Sequence, residues 1–268
     1  MFDGPPTAPQ ALREFAEHPG RYLTWDVDGK IALHLREHMC VVVGPTFGVV
    51  TSITAADADV DDLLDEVREL IPEGVHTDWY LGPSTRPSGL ADDLLALGLR
   101  EPEASGGTLH ALLLDHEPDA IPADVTTREV VTMADFADAA EVRWEAFRLS
   151  EDEREHERGF RATYYEGYMK SKDHSNIAFV ATIDGRVAGA ASALLSDRGL
   201  FLIGGATAPW ARGRGVYRAL VGARWRYAVG RGTPALAVHA IHDTSSPILR
   251  RLGFEEVSTM RHLEGRPT

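Results

Sequence analysis

The residues with chemistry to offer gather late in the chain. Arg212, Gly213, Arg214, Gly215, Val216 and Tyr217 make a glycine loop carrying two guanidinium groups, and Ala206, Thr207 and Ala208 lead into it from an apolar stretch, Leu200 to Ile203. Beyond the loop, Val216, Ala219, Leu220, Ala223 and Tyr227 repeat at the three-and-four spacing of one buried helix face. The first turn of a helix leaves N–H groups unpaired at the positive end of its dipole, so a strand, a glycine loop and a helix in that order form an anion cradle. Two arginines suit a diphosphate better than a single phosphate. His239, His242 and Ser245 follow the next apolar run, where an imidazole can take a proton from an amine and a hydroxyl can bond a sulfur or cap a helix.

Several elements must hold these groups in place. PALAVHAI reads as a strand, SSPILRRLGF as a helix ending at a Gly-Phe turn, and EEVSTMRHL as a closing strand. Upstream, a strand over Thr126 to Thr132 precedes a helix from Met133 to Phe147, with Phe136, Ala139, Ala140, Trp144 and Phe147 on one side. A second helix, about Ser150 to Lys170, opens on Ser-Glu-Asp-Glu, a cap with acids in its first turn. A hairpin turned at Asp184-Gly185 then leads to the cradle strand. Gly204 and Gly205 inside that strand mark a bulge, a close backbone approach or a gap beside a bulky neighbour.

The loop fits neither common nucleotide motif. A Walker loop needs Gly-Lys-Ser/Thr, and a dinucleotide fingerprint needs a third glycine where Arg218 stands and an acid near Ala235. Pro209-x-x-Arg212-Gly213-x-Gly215 instead resembles the acyl-CoA loop of the GNAT family of N-acetyltransferases, Q/R-x-x-G-x-G/A, with Tyr217 at the last position. The LRRLGF ending resembles the same family, and the likeness covers about the last 145 residues. The resemblance implies acetyl-CoA as co-substrate, its pantetheine beside backbone groups of Ala206, Thr207 and Ala208, and its pyrophosphate on Arg212 to Tyr217. It also implies a tyrosine acid four residues before the Gly of the Gly-Phe turn, a position held here by Leu249. His239, His242 and Ser245 are the candidate catalytic substitutes. Glu145, Arg148 and Tyr168, with Tyr164 and Tyr165, lie on the two helices that would cover the acceptor, although this aromatic spacing equally describes a core.

The first half shows a helix around Gln10 to His18, a hairpin joining TWDV to KIALHL at Asp28-Gly29, an apolar run Met39 to Val43, and a helix from about Asp59 to Leu70. Its VHTDWYLGP, SGLADDLLALGL and TLHALLLDH repeat the strand, helix and strand order of the chain's end. An internal repeat of one fold accounts for this, and an unrelated small α+β domain is the alternative. The intervening GPTFGVVTSITAADA has no arginine and no phosphate chemistry.

These readings predict an α/β (α+β) protein of two GNAT-like domains, each a mixed, mostly antiparallel sheet flanked by helices. Residues 1–121 form a degenerate copy without a phosphate loop, and residues 122–268 the catalytic copy, its sheet split at the acyl-CoA site. Residues 1–121 hold 22 acidic against 7 basic side chains, and the remainder 19 against 20. Nucleic acid is therefore no expected partner. No run of apolar residues spans a membrane, no leader is visible, and Cys40, the single cysteine, reads as a buried strand residue, so the chain reads as cytoplasmic. No histidine or cysteine cluster has metal-ligand spacing, so no metal is expected. The function expected is transfer of an acetyl group from acetyl-CoA to a primary amine of a small molecule by a monomer or homodimer. The alternatives are a non-catalytic acyl-CoA sensor and a transferase for a longer acyl chain.

Overall fold

The computed structural model of the protein describes residues 9–24, 31–44, 46–55, 60–118 and 122–266. In chain order the first half gives α1 (Gln10–Glu17), β1 (Ala32–Leu35), β2 (Cys40–Val43), β3 (Phe47–Thr51), α2 (Val60–Leu70), β4 (His76–Leu81), α3 (Leu90–Ala96) and β5 (Thr108–Leu114). The second gives β6 (Thr126–Glu129), α4 (Met133–Phe147), α5 (Glu151–Ser171), β7 (Asn176–Ile183), β8 (Arg186–Leu195), β9 (Leu200–Thr207), α6 (Val216–Gly230), β10 (Leu236–Ile241), α7 (Ser245–Arg250) and β11 (Glu255–Glu264). Helices and mostly antiparallel strands alternate as the sequence predicts.

Local chemistry explains most of these boundaries. Thr132 caps α4 and Ser150 caps α5, each in a reciprocal capping box with the acid three residues on, Asp135 and Glu153. The expected strand to Thr132 ends at Glu129, since Thr132 serves as cap instead. Asp184 (φ 51°) and Gly185 (φ 78°) are both left-handed, the two-residue turn whose twist suits a hairpin, and it joins β7 to β8.

Two compact units are present: Met1–Tyr22 with Gly29–Asp115 and Ala237–Thr268, and Leu23–Asp28 with His116–Leu236. A division at residue 121 would leave the last 32 residues with the second half, whereas they belong to the first unit. The reason is strand pairing. β11 lies antiparallel to β4 on one side (Glu264 opposite Asp78) and to β5 on the other (Arg261 opposite Thr108).

In the first unit the strand order is β1-β2-β3-β4-β11-β5-β10. Each half's closing strand thus abuts the other half's preceding strand, β11 against β4 and β5 against β10, a reciprocal exchange. The same two helix endings accompany it. Gly98 (φ 94°) and Gly253 (φ 96°) end α3 and α7, and Leu99 and Phe254 donate N–H groups back to the carbonyls of Leu94 and Leu249 at 3.1 and 3.2 Å. A core of Met39, Val50, Leu63, Leu64, Trp79, Leu94 and Leu263 fills the space under these strands. Trp79 also donates its indole N–H to the carbonyl of Gly265 at 3.1 Å. The Asp28-Gly29 turn and the cap at Asp59 lie outside the described residues. The described partner of β1 is β2, antiparallel, with Ala32 opposite Val43. Cys40 is buried in β2, and burial pushes its thiol up to about 11, which leaves it inert at neutral pH.

In the second unit the order is β9-β8-β7-β6, all antiparallel. Val130, Ala139, Val142, Ala178, Val180, Ala190 and Ala206 form its core under α4.

Candidate functional site

The cradle begins with a bulge in β9. Ala190 pairs with Ala206 and Ser192 with Ile203, so Gly204 and Gly205 together face the single residue Ala191. Gly204 has φ 59° and open space where a side chain would stand. Gly205 is different, because a Cβ there would come within 2.6 Å of the Tyr217 ring. Tyr217 therefore packs on the bulge, and Gly205 makes room for it.

A short 3₁₀ turn, Pro209–Ala211, carries the chain from β9 to the loop, and Arg186 stacks its guanidinium over Trp210 at 4.2 Å. Gly213 (φ 76°) has open space around it, the condition for a ligand to approach the backbone. Gly215 (φ 75°) caps α6, and its missing side chain leaves room for the ring of Pro122. Unlike α4 and α5, α6 has no side-chain cap and no acid in its first turn. Its N-terminal N–H groups are left for another acceptor, with the exposed Arg212 and Arg214 beside them, and the nearest acid to Arg214 is Asp124 at 3.7 Å. Val216 meets Gly189 of β8 closely, which fixes the helix start against the sheet.

One arginine in this region escapes sequence reading. Arg224 is wholly buried; its Nε donates to the Leu220 carbonyl at 3.0 Å, its Nη1 donates to the Ser192 carbonyl at 3.3 Å, its guanidinium carbon lies 5.9 Å from the Tyr217 ring centre, and its Nη2 has no hydrogen-bond acceptor among the described residues. A buried cation beside the bulge adds positive potential that a count of solvated arginines misses.

The candidate acid–base residues belong to the first unit. His239 Nε2 donates to the Ala16 carbonyl at 3.0 Å, at the end of α1, and burial pushes its pKa down to about 4. It is a neutral tie between β10 and α1, which weighs against its expected role as a base. Ser245 Oγ accepts the Ile241 N–H at 2.8 Å and so shapes the turn from β10 to α7. His242 is half-exposed and lies 2.8 Å, Nδ1 to Nε2, from His110 of β5. His110 in turn faces Ser246 Oγ at 2.8 Å and Glu256 at 3.3 Å, and burial holds its pKa below the usual imidazole value. A cavity of about 380 Å³ is lined by His110, His242, Asp243, Ser246, Pro247 and Arg250. His242 thus stands at one end of a polar chain that runs through His110 to Ser246. No linear signal marks His110 or Ser246, since only the strand exchange sets β5 beside β10. Leu249, at the expected tyrosine position, is fully buried.

The expected acceptor residues divide. Glu145 and Arg148 are exposed, Arg148 in the left-handed position that ends α4 (φ 59°). Tyr168 is a packing residue: its hydroxyl donates to the Val130 carbonyl at 2.9 Å and accepts the Ala178 N–H at 3.3 Å, and its ring lies 5.7 Å from Phe136. Tyr165 likewise donates to the Val131 carbonyl at 3.1 Å. Both tie α5 to the β6–α4 link, the core alternative noted above.

No curated protein matches the chain by sequence. Among solved structures it resembles a GCN5-related N-acetyltransferase from Kribbella flavida, with TM-score 0.65 and 17% identity over 94% of this chain and 95% of that one. It also resembles a tandem GNAT protein from the clavulanic acid biosynthesis pathway (TM-score 0.59, 15% identity, 99% and 91% covered). A third likeness is to a GCN5-related N-acetyltransferase from Sphaerobacter thermophilus (TM-score 0.54, 17% identity, 87% and 82% covered). Residues 136–254, which include the bulge, the open glycine loop and the uncapped helix, match the model of the acetyltransferase (GNAT) family. That match covers 136–254 alone, and the solved structures share the fold of the chain at low identity.

Proposed function

We propose that the protein transfers an acetyl group from acetyl-CoA directly to a primary amine of a small molecule, and that residues 1–121 are a degenerate second copy of the same fold. The observation that carries this reading is the loop 209–217: a left-handed Gly213 in open space, two exposed arginines and an uncapped, acid-free helix start directly after a bulged strand. Arg212, Arg214 and the first N–H groups of α6 hold the pyrophosphate, and the Ala206 to Ala208 backbone meets the pantetheine. The neutral amine attacks the thioester carbonyl carbon, the C–S bond breaks, CoA leaves as its thiolate, and the proton shed by the amine nitrogen neutralises that thiolate. His239, committed to the Ala16 carbonyl, does not carry that proton.

One observation favours a second reading. Leu249 is apolar and fully buried where the family's acid stands, as a non-catalytic acyl-CoA sensor would allow. Release of CoA thiol from acetyl-CoA over a panel of aminosugars, aminoglycosides, polyamines, amino acids and a lysine peptide separates the two. Turnover on one class establishes the transferase. Calorimetric CoA binding with silence across the panel gives the sensor, or a transferase for a longer acyl chain, and absence of CoA binding removes both.

A further inference from the structure

β4 and β11 come from opposite ends of the chain, and their pairing sets Asp78 directly across from Glu264. Two carboxylates at such a position repel, and both side chains are largely buried, at 22% and 15% exposed. His76, two residues before Asp78 on the same face, brings Nε2 to 3.5 Å from Asp78 Oδ1 and 3.7 Å from Glu264 Oε2. The three donor atoms lie within 4.8 Å of one another. A tetrahedral zinc ion with bonds of about 2.0–2.1 Å sets its ligand atoms about 3.3–3.4 Å apart, so the two His76 distances need a shift of only a few tenths of an ångström, and the two carboxylates close on the ion from within the 4.8 Å span.

The surroundings orient these donors. His262 Nε2 meets Asp78 Oδ1 at 2.8 Å while its Nδ1 faces Ser105 Oγ at 3.1 Å, and Arg100 holds the other oxygen of Glu264 at 2.7 Å. Arg100 is 72% exposed and neutralises one carboxylate of the pair from the rim. Glu264 is held through its other oxygen, and His262 orients Asp78 through the same Oδ1 that faces the half-exposed His76; polar partners of this kind accompany metal ligands. The donor types, one nitrogen and two oxygens, suit a borderline divalent ion over magnesium or calcium, which prefer oxygen alone.

We infer that His76, Asp78 and Glu264 bind a divalent ion of the zinc class, with water completing its coordination. The ion bridges β4 to β11 and so clasps the exchanged strand of the second half onto the first. This site is independent of the acyl-donor cradle.

The test uses the full chain, stripped with a chelator and titrated with zinc chloride alone. Calorimetry should give one ion per chain in the micromolar range or tighter, with a zinc-dependent rise in Tm. X-ray absorption should report one imidazole and two carboxylate ligands. His76→Ala should weaken zinc binding by more than about tenfold and abolish the zinc-dependent rise in Tm, measured against its own metal-free Tm. His156→Ala, on α5, should change nothing. Absence of saturable binding in the micromolar range, or binding that His76→Ala leaves unchanged, would overturn the assignment.

Discussion

The chain makes the same passage twice, and the two versions carry opposite charge. From β3 to α2 and from β9 to α6 it leaves a strand, crosses an eight-residue connection (52–59 and 208–215) and enters a helix. The second connection has Arg212 and Arg214, and α6 has no acid in its first turn. The first has Asp57 and Asp59 and no basic residue, and α2 begins with Asp61 and Asp62 in its first turn. Acids at a helix start occupy the positive end of the dipole that a phosphate would need. The strands differ as well. β3 pairs in parallel with β4 over five successive residues, Phe47 opposite His76 through Thr51 opposite Tyr80, whereas β9 carries a glycine bulge. A single topology therefore presents an acid-free, arginine-flanked helix start in one place and an acidic one in the other, and a handful of side chains makes the difference.

The strongest way to break this comparison is to give the second passage the charge poverty of the first. Replacing Arg212 and Arg214 together by Ala removes two charge-assisted contacts of about 1.5–3 kcal/mol each, so CoA affinity by calorimetry should fall by about a hundredfold or more. Circular dichroism and Tm should hardly move, because both side chains are exposed. Unchanged affinity would mean that α6 is as closed to phosphate as α2. Gly215 is the wrong residue for this test, since any side chain there meets Pro122 and disturbs the fold along with the ligand.

A smaller effect asks what β10, the strand entered after α6, has kept for structure. His239 has its pKa lowered to about 4 by burial, so as the pH falls the unfolded chain takes up the proton first. Its contribution is complete above about pH 6.5 and is lost progressively toward pH 4. His239→Gln, which retains an N–H donor for Ala16, should flatten the acid dependence of stability by about 1–3 kcal/mol between pH 7 and pH 4.5, read from urea unfolding curves. A slope identical to that of the parent would return His239 to the list of available bases.

The finest distinction is between helix starts used for structure and the one left open. Thr132→Ala deletes the α4 cap and should cost about 1 kcal/mol of stability in denaturant melts, with CoA affinity unchanged. A matching loss of CoA affinity would show that the capped and uncapped starts are not separate in function.

Much of the second half is legible in sequence because its signals are local. The Ser150 capping box, the Asp184-Gly185 turn and the Gly204-Gly205 bulge each need only a few neighbouring residues, and each stands where the pattern allows it, whereas Thr132, read as the end of a strand, caps α4. The expected acceptor and catalytic residues are harder to read, since a residue type does not reveal whether its polar atom is already engaged. Tyr168 has its hydroxyl tied to Val130, and His239 its ring nitrogen tied to Ala16. The pairing of β11 with β4, across more than 170 residues, leaves no periodicity to find. It alone assembles His76, Asp78 and Glu264, just as the neighbouring exchange sets His110 beside His242.

The reciprocal exchange also constrains how the protein is made. Emerging from the ribosome in order, β1 to β5 wait with the place between β4 and β5 empty until Glu255 to Glu264 has been synthesised. The unit that begins first is thus completed last. Cutting the gene at residue 121 would yield one fragment whose sheet lacks a central strand and another whose final strand has no partner.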